Sequence, residues 1–205
     1  MMEMELKEQF GGIDIYLFDQ LLKGSLTKDM RILDAGCGSG RNLTYLLRSG
    51  YDVFAIDRSE TAIQELQRLA DLIAPKWAKE QARVEAVEQM SFADASFDFI
   101  ISSAVLHFAD NEEHFDQMVN ELWRVLKPGG KLFARLASSI GMESRMQPLG
   151  EGQYLLPDGS RRFLVTEEKL LGMTAKLSGH LFEPLKTVIV ADKRCMTTWC
   201  VEKSG

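Results

Sequence analysis

The stretch Asp34-Ala35-Gly36-Cys37-Gly38-Ser39-Gly40-Arg41-Asn42 decides how the rest of the chain is interpreted. It follows Arg31-Ile32-Leu33, a short run that is typical of a first β-strand. A glycine-rich turn between a strand and a helix lets the backbone approach a ligand closely, at the carboxyl ends of parallel strands. The stretch therefore predicts an α/β sheet with a ligand site at one edge.

Short β-type runs alternate with helical patterns along the rest of the chain, which is typical of a mainly parallel sheet. Further strands are predicted at 52–57, 82–87, 97–102 and 131–136, and helices at 41–48, 59–73, 115–126 and from 166 onward. The alternating segments 187–191 and 195–202 predict an antiparallel hairpin at the sheet edge. We expect one domain of doubly wound α/β fold with a seven-stranded sheet, an N-terminal helical cap at 1–29 and a substrate-side insertion at 138–165.

Composition narrows the class of protein. The 205 residues include 24 basic and 30 acidic side chains, a formal net charge of −6, which is not typical of proteins that bind nucleic acid or anionic membranes. Three cysteines exclude a disulfide scaffold and agree with a reducing compartment. The acidic N-terminus lacks signal-peptide features, and the longest apolar run, 99–106, is too short to span a bilayer. We expect a soluble, cytoplasmic protein.

Two classes of cofactor compete for the glycine-rich turn. A dinucleotide fingerprint requires G-x-G-x-x-G, but Arg41 stands at the position of its last glycine. Asp57 ends the second predicted strand, where a carboxylate can bind both hydroxyls of a ribose. Asp34 would be unfavourable beside a diphosphate and favourable near an ammonium group. The turn therefore favours a nucleoside that carries an amino acid, with NAD(P)-dependent oxidation as the alternative.

Four motifs in this order resemble the class I S-adenosylmethionine (SAM) methyltransferases: Asp34-x-Gly36-x-Gly38-x-Gly40, Asp57, Phe97-Asp98, and Leu126-Lys127-Pro128-Gly129-Gly130. The resemblance covers residues 30–137. The run from Gly38 to Leu46 also resembles small bacterial methyltransferases linked to tellurite resistance. The family resemblance implies a Rossmann-like fold, SAM as methyl donor, S-adenosylhomocysteine (SAH) as product, and methyl transfer by in-line displacement.

The resemblance also implies which residues bind SAM. The turn, namely Gly36, Cys37, Gly38 and Gly40, would line the methionine half, and Asp34 would orient the amino end through water. Asp57 would accept from the ribose hydroxyls, Arg58 would cover the adenine, and the backbone near Ser103 would meet the methionine amino group.

One position departs from the family pattern. The family often has an Asp after the third strand that accepts from the adenine amino group, and Ala86 stands there in this chain. Either the Val87 backbone replaces that contact alone, or Glu85 or Glu88 contributes. The departure also leaves open a SAM-binding protein that does not catalyse.

The acceptor side is less defined by the sequence. His107 follows the fourth strand, where a histidine can act as a general base at neutral pH or merely pack. Cys37 is interpreted as a packing residue rather than a nucleophile, and His114 and His180 as solvated. Arg161-Arg162 either flanks a solvated turn or meets an anionic substrate. The remaining candidates for contact with the acceptor are Tyr16, Arg135, Arg145 and Tyr154.

Little chain lies beyond the core fold, which favours a small-molecule acceptor over a protein or nucleic acid. We expect no metal and no membrane partner, and a monomer or homodimer.

Overall fold

The structure, a computed structural model, describes residues 5–205. Its strands are β1 (Arg31–Ala35), β2 (Asp52–Asp57), β3 (Ala82–Val84), β4 (Phe97–Ser103), β5 (Leu126–Ala137), β6 (Gln147–Gly150), β7 (Gln153–Leu155), β8 (Arg161–Phe163), β9 (Gly179–Leu181), β10 (Lys186–Val190) and β11 (Arg194–Lys203). Its α-helices are α1 (Leu6–Phe10), α2 (Ile15–Leu22), α3 (Thr44–Arg48), α4 (Glu60–Ile73), α5 (Glu112–Val125) and α6 (Glu167–Lys176).

The central sheet has the strand order β10-β11-β5-β4-β1-β2-β3, and β9 also pairs with β11. Five neighbouring strands of this sheet run parallel to one another, namely β5, β4, β1, β2 and β3. β11 is antiparallel to β5, β9 and β10. The mainly parallel sheet with a C-terminal antiparallel hairpin is confirmed, and β9 extends the sheet beyond the seven strands predicted.

Helices cover both faces of the sheet, as a doubly wound fold requires. Successive residues of one strand point to opposite faces, so Ile32 packs with α2, α3 and α4 while Leu33 packs with α5 and α6. β4 lies at the centre with both faces covered: Phe99 enters the first of these cores and Ile100 the second. Its near-continuous apolar sequence is the consequence of that position.

Side-chain caps begin helices α4 and α6. Ser59 Oγ accepts a hydrogen bond from Ala62 N at 3.3 Å, and Thr166 Oγ1 accepts from Lys169 N at 3.0 Å. These bonds satisfy amide groups that have no partner inside the helix. The helices predicted at 59–73 and from 166 onward are thus confirmed.

The strand boundaries differ from the predictions at two places. β3 ends at Val84 instead of Val87: Glu85 N makes the last bond to Asp57 O at 3.1 Å, and the chain then leaves the sheet. β5 begins at Leu126 instead of Lys131, since Leu126 pairs with Phe97 while Phe99 pairs with Lys131. The register shift between these pairs accommodates the residues from Lys127 to Gly130, which lie between the predicted helix and the predicted strand.

Two short elements also differ. The helix after the glycine-rich turn begins at Thr44 instead of Arg41, because the chain from 40 to 43 forms turns, with Leu43 N donating to Gly40 O. β9 was not predicted. A Cβ atom at Gly179 would lie 2.8 Å from the Trp123 ring and 2.7 Å from the Val201 side chain, so this strand depends on contacts distant in sequence.

The predicted cap and insertion flank the carboxyl edge of the sheet. The first four residues of the 1–29 cap lie outside the described residues, and the rest includes α1 and α2. Phe10 stacks on Tyr45 with ring centroids 4.9 Å apart, so α1 packs on α3. The 138–165 segment contains a separate antiparallel sheet, β6-β7-β8. Within residues 5–205, no helix is long and apolar enough to cross a membrane.

Alanine at two positions of the glycine-rich turn should have different effects on stability. Both Gly36 (φ +81°) and Gly38 (φ +53°) adopt the left-handed region, which costs an alanine about 1–2 kcal/mol. A Cβ atom at Gly36 would also lie 2.4 Å from Val105 Cγ2, whereas at Gly38 it meets nothing within 4 Å. Overpacking at Gly36 adds about 1–3 kcal/mol to the backbone cost. The free energy of unfolding in urea should therefore fall by about 2–5 kcal/mol in Gly36→Ala. Equal losses in the two variants would contradict this packing.

Candidate active site

A cleft of about 310 Å³, the first cleft, lies where the chain leaves the carboxyl ends of β1, β2, β3 and β4. Six of the residues predicted to bind a cofactor line it: Gly36, Gly38, Asp57, Arg58, Val87 and Glu88. Ala104, Val105 and Phe108 after β4, and His114 and Met118 on α5, complete the wall together with Glu85 and Ala86. The remaining four predicted residues, Asp34, Cys37, Gly40 and Ser103, are buried behind it.

The Asp57 carboxylate is fixed at the mouth of this cleft. Its Oδ2 accepts from Gly38 N at 2.9 Å, and its Oδ1 accepts from Ser59 N at 2.9 Å. An ionised carboxylate has about four lone-pair sites, so these two bonds orient the group and leave acceptor capacity toward the cleft. Asp57 can therefore accept from a pair of ligand hydroxyls without moving.

The glycines of the turn serve different purposes. Gly38 faces open space, so its backbone is accessible to a ligand. Gly40 allows close packing of α4, since a Cβ atom there would lie 2.5 Å from Leu66 Cδ1. Gly36 N and Cys37 N both donate to Ile56 O, at 2.8 and 2.9 Å, which anchors the turn to β2.

Asp34 is a wholly buried carboxyl group, and neither of its oxygens has a hydrogen-bond partner among residues 5–205. Burial, helped by the nearby charge of Asp57 and opposed by that of Arg41, raises its pKa to about 7. An orphaned buried carboxyl group of this kind fits a cationic ligand group, reached through water because Asp34 does not itself line the cleft.

Cys37 is not suited to act as a nucleophile. Burial raises the pKa of its thiol, and the nearby carboxyl groups of Asp34 and Asp57 raise it further. The protonated Sγ donates to Gly38 O at 3.3 Å. The side chain packs in the core beneath the turn, as the sequence interpretation expected.

At the opposite end of the first cleft, Glu88 rather than Glu85 is available to a ligand. Glu85 accepts from Ser91 N at 2.9 Å and from the Ser91 hydroxyl. Glu88 Oε1 lies 3.5 Å from His114 Nε2, a buried atom with no hydrogen-bond partner among the described residues. His114 thus lines the cleft instead of being solvated, whereas His180 is exposed. No spacing in the sequence indicates this place for His114.

A second cleft of about 250 Å³ adjoins the first, and Ala104 belongs to both. Its polar wall consists of His107, Arg135, Asp158, Ser160, Arg162 and Arg194, and its apolar wall includes Leu156 and Met196. Arg194 begins β11, far along the chain from the glycine-rich turn. Sequence reasoning missed it because no motif surrounds it.

His107 is held as a neutral donor. Its Nδ1 accepts from Ala137 N at 3.2 Å, so the ring proton of the neutral form resides on Nε2. Burial, together with the positive charges of Arg162 and Arg135, lowers its pKa to about 4. A histidine in this state can donate a hydrogen bond but does not accept a proton at neutral pH. The predicted role as a general base is disfavoured by this geometry.

Asp14 joins the N-terminal segment to the site, and sequence reasoning did not single it out. Its Oδ2 accepts from Arg135 Nη1 at 2.9 Å and from Ser103 Oγ at 3.3 Å, and its backbone N donates to Asn42 Oδ1 at 3.0 Å. Arg135 also lies over the Tyr16 ring, 5.3 Å from its centroid. Two of the predicted acceptor contacts, Arg135 and Tyr16, therefore meet at this carboxylate.

The other two predicted acceptor contacts lie elsewhere. Arg145 forms an exposed ion pair with Asp192 at 2.8 Å. Tyr154 lies on β7 and packs against the small core beneath the insertion. Neither residue belongs to the lining of the two clefts. No group of three or more His, Cys, Asp or Glu side chains within 5–205 could hold a metal ion.

The chain is similar to known methyltransferases in sequence and in fold. The model of the methyltransferase domain family matches residues 33–134. The chain is 34% identical over 171 residues to the mitochondrial ubiquinone biosynthesis O-methyltransferase of Rattus norvegicus, covering 76% of this chain and 48% of the relative. It is 35% identical over 116 residues to malonyl-[acyl-carrier protein] O-methyltransferase of Enterobacter lignolyticus, covering 56% and 42%.

A third relative acts on a different kind of molecule by its name. It is a tRNA N(3)-methylcytidine methyltransferase of Schizosaccharomyces pombe, 28% identical over 155 residues, which cover 71% of this chain and 50% of the relative. The chain thus spans about half the length of these curated relatives.

A solved structure covers nearly the whole fold. A SAM-dependent methyltransferase of Methanosarcina mazei superposes with a TM-score of 0.71 at 26% identity, over 90% of this chain and 97% of the other. The matched family agrees with the SAM interpretation of the glycine-rich turn rather than with the dinucleotide alternative. The chain belongs to the class I SAM-dependent methyltransferases.

Proposed function

We propose that this chain transfers a methyl group from SAM in the first cleft to a small molecule in the second. The observation that carries the proposal is that the two clefts meet at Ala104. A donor and an acceptor bound side by side at this residue would react as neighbours within one site. Holding two reactants in line removes much of the entropic barrier to their reaction.

The first cleft offers a partner for each part of SAM. Gly38 gives open backbone to the methionine half, and Asp57 accepts from the ribose hydroxyls. Asp34 supplies the negative charge that favours the ammonium group, and Glu88 with the Val87 backbone lies at the adenine end, where Ala86 leaves no carboxylate.

SAM, when bound, supplies a methyl group that is already a good electrophile. In the transfer, a bond forms between the acceptor atom and the methyl carbon, and the carbon–sulfur bond breaks with its electron pair passing to sulfur. The protein must orient the acceptor and exclude water. Because His107 is a neutral donor, its ring does not take up a proton that the acceptor loses, and this proton reaches bulk solvent once the methylated product leaves the cleft.

A small acceptor is supported by the second cleft and by charge. The second cleft has a volume of about 250 Å³, which is below the roughly 300–1,000 Å³ of most ligand pockets and therefore suits a small acceptor. The net charge of −6 does not favour a nucleic-acid partner, although one relative is named for tRNA methylation. The proposal requires turnover: SAM binding without methyl transfer to any acceptor would instead indicate a non-catalytic binding protein.

Asp57→Ala should weaken SAM binding by about 1.5–3 kcal/mol, the scale of hydrogen bonds to a charged group. Calorimetric titration with SAM, SAH and NAD in parallel measures this, and we expect wild-type protein to bind the first two only. Asp52→Ala, at the other end of β2, is the matched control because Asp52 is exposed and outside the first cleft. Equal affinities in the Asp57 and Asp52 variants would contradict the ribose assignment.

Asp34→Asn should change how stability depends on pH. A carboxyl group whose pKa rises from 3.8 in the unfolded chain to about 7 in the folded chain favours folding at low pH. That contribution is lost as pH rises through this range, when the buried group must ionise. The variant should be about 1–3 kcal/mol more stable than wild type at pH 8 and gain nothing at pH 4. The free energy of unfolding in urea, measured for both proteins from pH 4 to pH 8, checks this. Curves against pH that run parallel would show that ionising Asp34 does not destabilise the folded protein.

His107 should show one tautomer and no titration near neutrality. With its pKa lowered to about 4 and Nδ1 accepting from Ala137 N, the ring should remain neutral with its proton on Nε2 from pH 6 to 9. Long-range ¹H–¹⁵N NMR of the imidazole nitrogens measures both properties. A midpoint between pH 6 and 7 would restore the general-base role.

A further inference from the structure

We propose that the methyl acceptor carries a carboxylate or phosphate group and that Arg162 and Arg194 bind this group in the second cleft. The inference rests on the proposed function, since it assigns the acceptor to that cleft. It names the chemical class of the acceptor, which the family alone leaves open.

The lining of the second cleft carries more positive than negative charge, in a chain of net negative charge. Three arginines line it, Arg135, Arg162 and Arg194, against one acidic residue, Asp158. Asp158 is already engaged: its Oδ1 accepts from Ser160 N at 2.9 Å and from Ser160 Oγ at 2.6 Å. The Asp158 charge also faces Arg162 and Arg194, which lower its pKa, but one carboxylate does not neutralise two guanidinium groups. The cleft therefore keeps an excess of positive charge that an anionic ligand can balance.

The three arginines differ in whether a carboxylate of the protein already pairs with them. Arg135 is paired with Asp14 at 2.9 Å. Arg162 and Arg194 form no ion pair with any carboxylate among residues 5–205. A guanidinium group presents a planar fork of donors that matches a carboxylate or a phosphate. These two side chains are the ones left to bind an anion.

Arg162 is positioned between the two clefts. Its guanidinium lies over the Phe108 ring, 5.0 Å from the centroid, and its Nη1 donates to Arg161 O at 2.7 Å. Phe108 lines the first cleft while Arg162 lines the second. Stacking on an aromatic face orients the fork before a ligand arrives, which reduces the entropy lost on binding.

The other fixed polar group of this wall is also a donor. His107 presents its Nε2 proton because Nδ1 is occupied by Ala137 N. The positive charges of Arg162 and Arg135 both lie close enough to this ring to lower the pKa of His107. A wall built mainly of donors is complementary to a group that only accepts hydrogen bonds, and an anion is such a group.

The test uses saturating SAH and two anionic probes, benzoate and phenyl phosphate, with benzamide as the neutral counterpart. Side-chain ¹⁵Nε NMR of the arginines should show saturable shifts at Arg162 and Arg194 with the anions and none with benzamide. Each of R162Q and R194Q should weaken the anion about tenfold, which corresponds to about 1.4 kcal/mol. K193Q is the matched control, because Lys193 is the exposed neighbour of Arg194 and lies outside the cleft.

The outcomes separate this inference from the proposed function. A stronger response to benzoate indicates a carboxylate acceptor, and a stronger response to phenyl phosphate a phosphorylated one. Equal response to benzamide, or unchanged affinity in both arginine variants, would overturn the inference even if SAH binds. Failure of SAH to bind would instead reject the proposed function, and the anion titration would still be decisive on the free protein. Displacement of the probe by stoichiometric tRNA would overturn the small-molecule assignment.

Discussion

The site depends on how the glycine-rich turn is tied to the second strand. Gly36 N and Cys37 N donate to Ile56 O, and Gly38 N donates to the Asp57 carboxylate. These bonds place the turn and Asp57, the acid proposed to bind the ribose, in one rigid unit, so that neither can be moved without the other. Because the parallel pairing of β1 with β2 fixes Ala35 opposite Ile56, the backbone of the sheet itself sets this arrangement.

Asp14 has a comparable role on the acceptor side. It connects the N-terminal segment to Asn42 beside the turn, to Ser103 at the end of β4 and to Arg135 on β5. A nearly buried carboxylate is stable there because several donors satisfy it. Asp34 differs, because it is buried without such donors, and this difference supports the cationic ligand group proposed for it.

Two family motifs have structural rather than chemical roles in this chain. Asp98 accepts from Arg31 N at 2.9 Å and from Lys127 Nζ at 2.8 Å, so it joins β1, β4 and the start of β5. These contacts lie at the edge of the sheet opposite to the first cleft, since Arg31 begins β1 and Gly36 follows its end. Motifs that identify a family can thus maintain its sheet without touching its ligands.

The sequence by itself determined the sheet, its hairpin and the turn with its partner acid, because local periodicity, caps and glycine spacing encode these over short distances. Only the tertiary structure decided the charge of the second cleft, where Arg135, Arg162 and Arg194 come from segments far apart in the chain. It also decided the state of His107, whose donor character depends on Ala137 N, and the place of His114 beside Glu88. Such properties arise from burial and from neighbours distant in sequence, which a linear pattern does not contain.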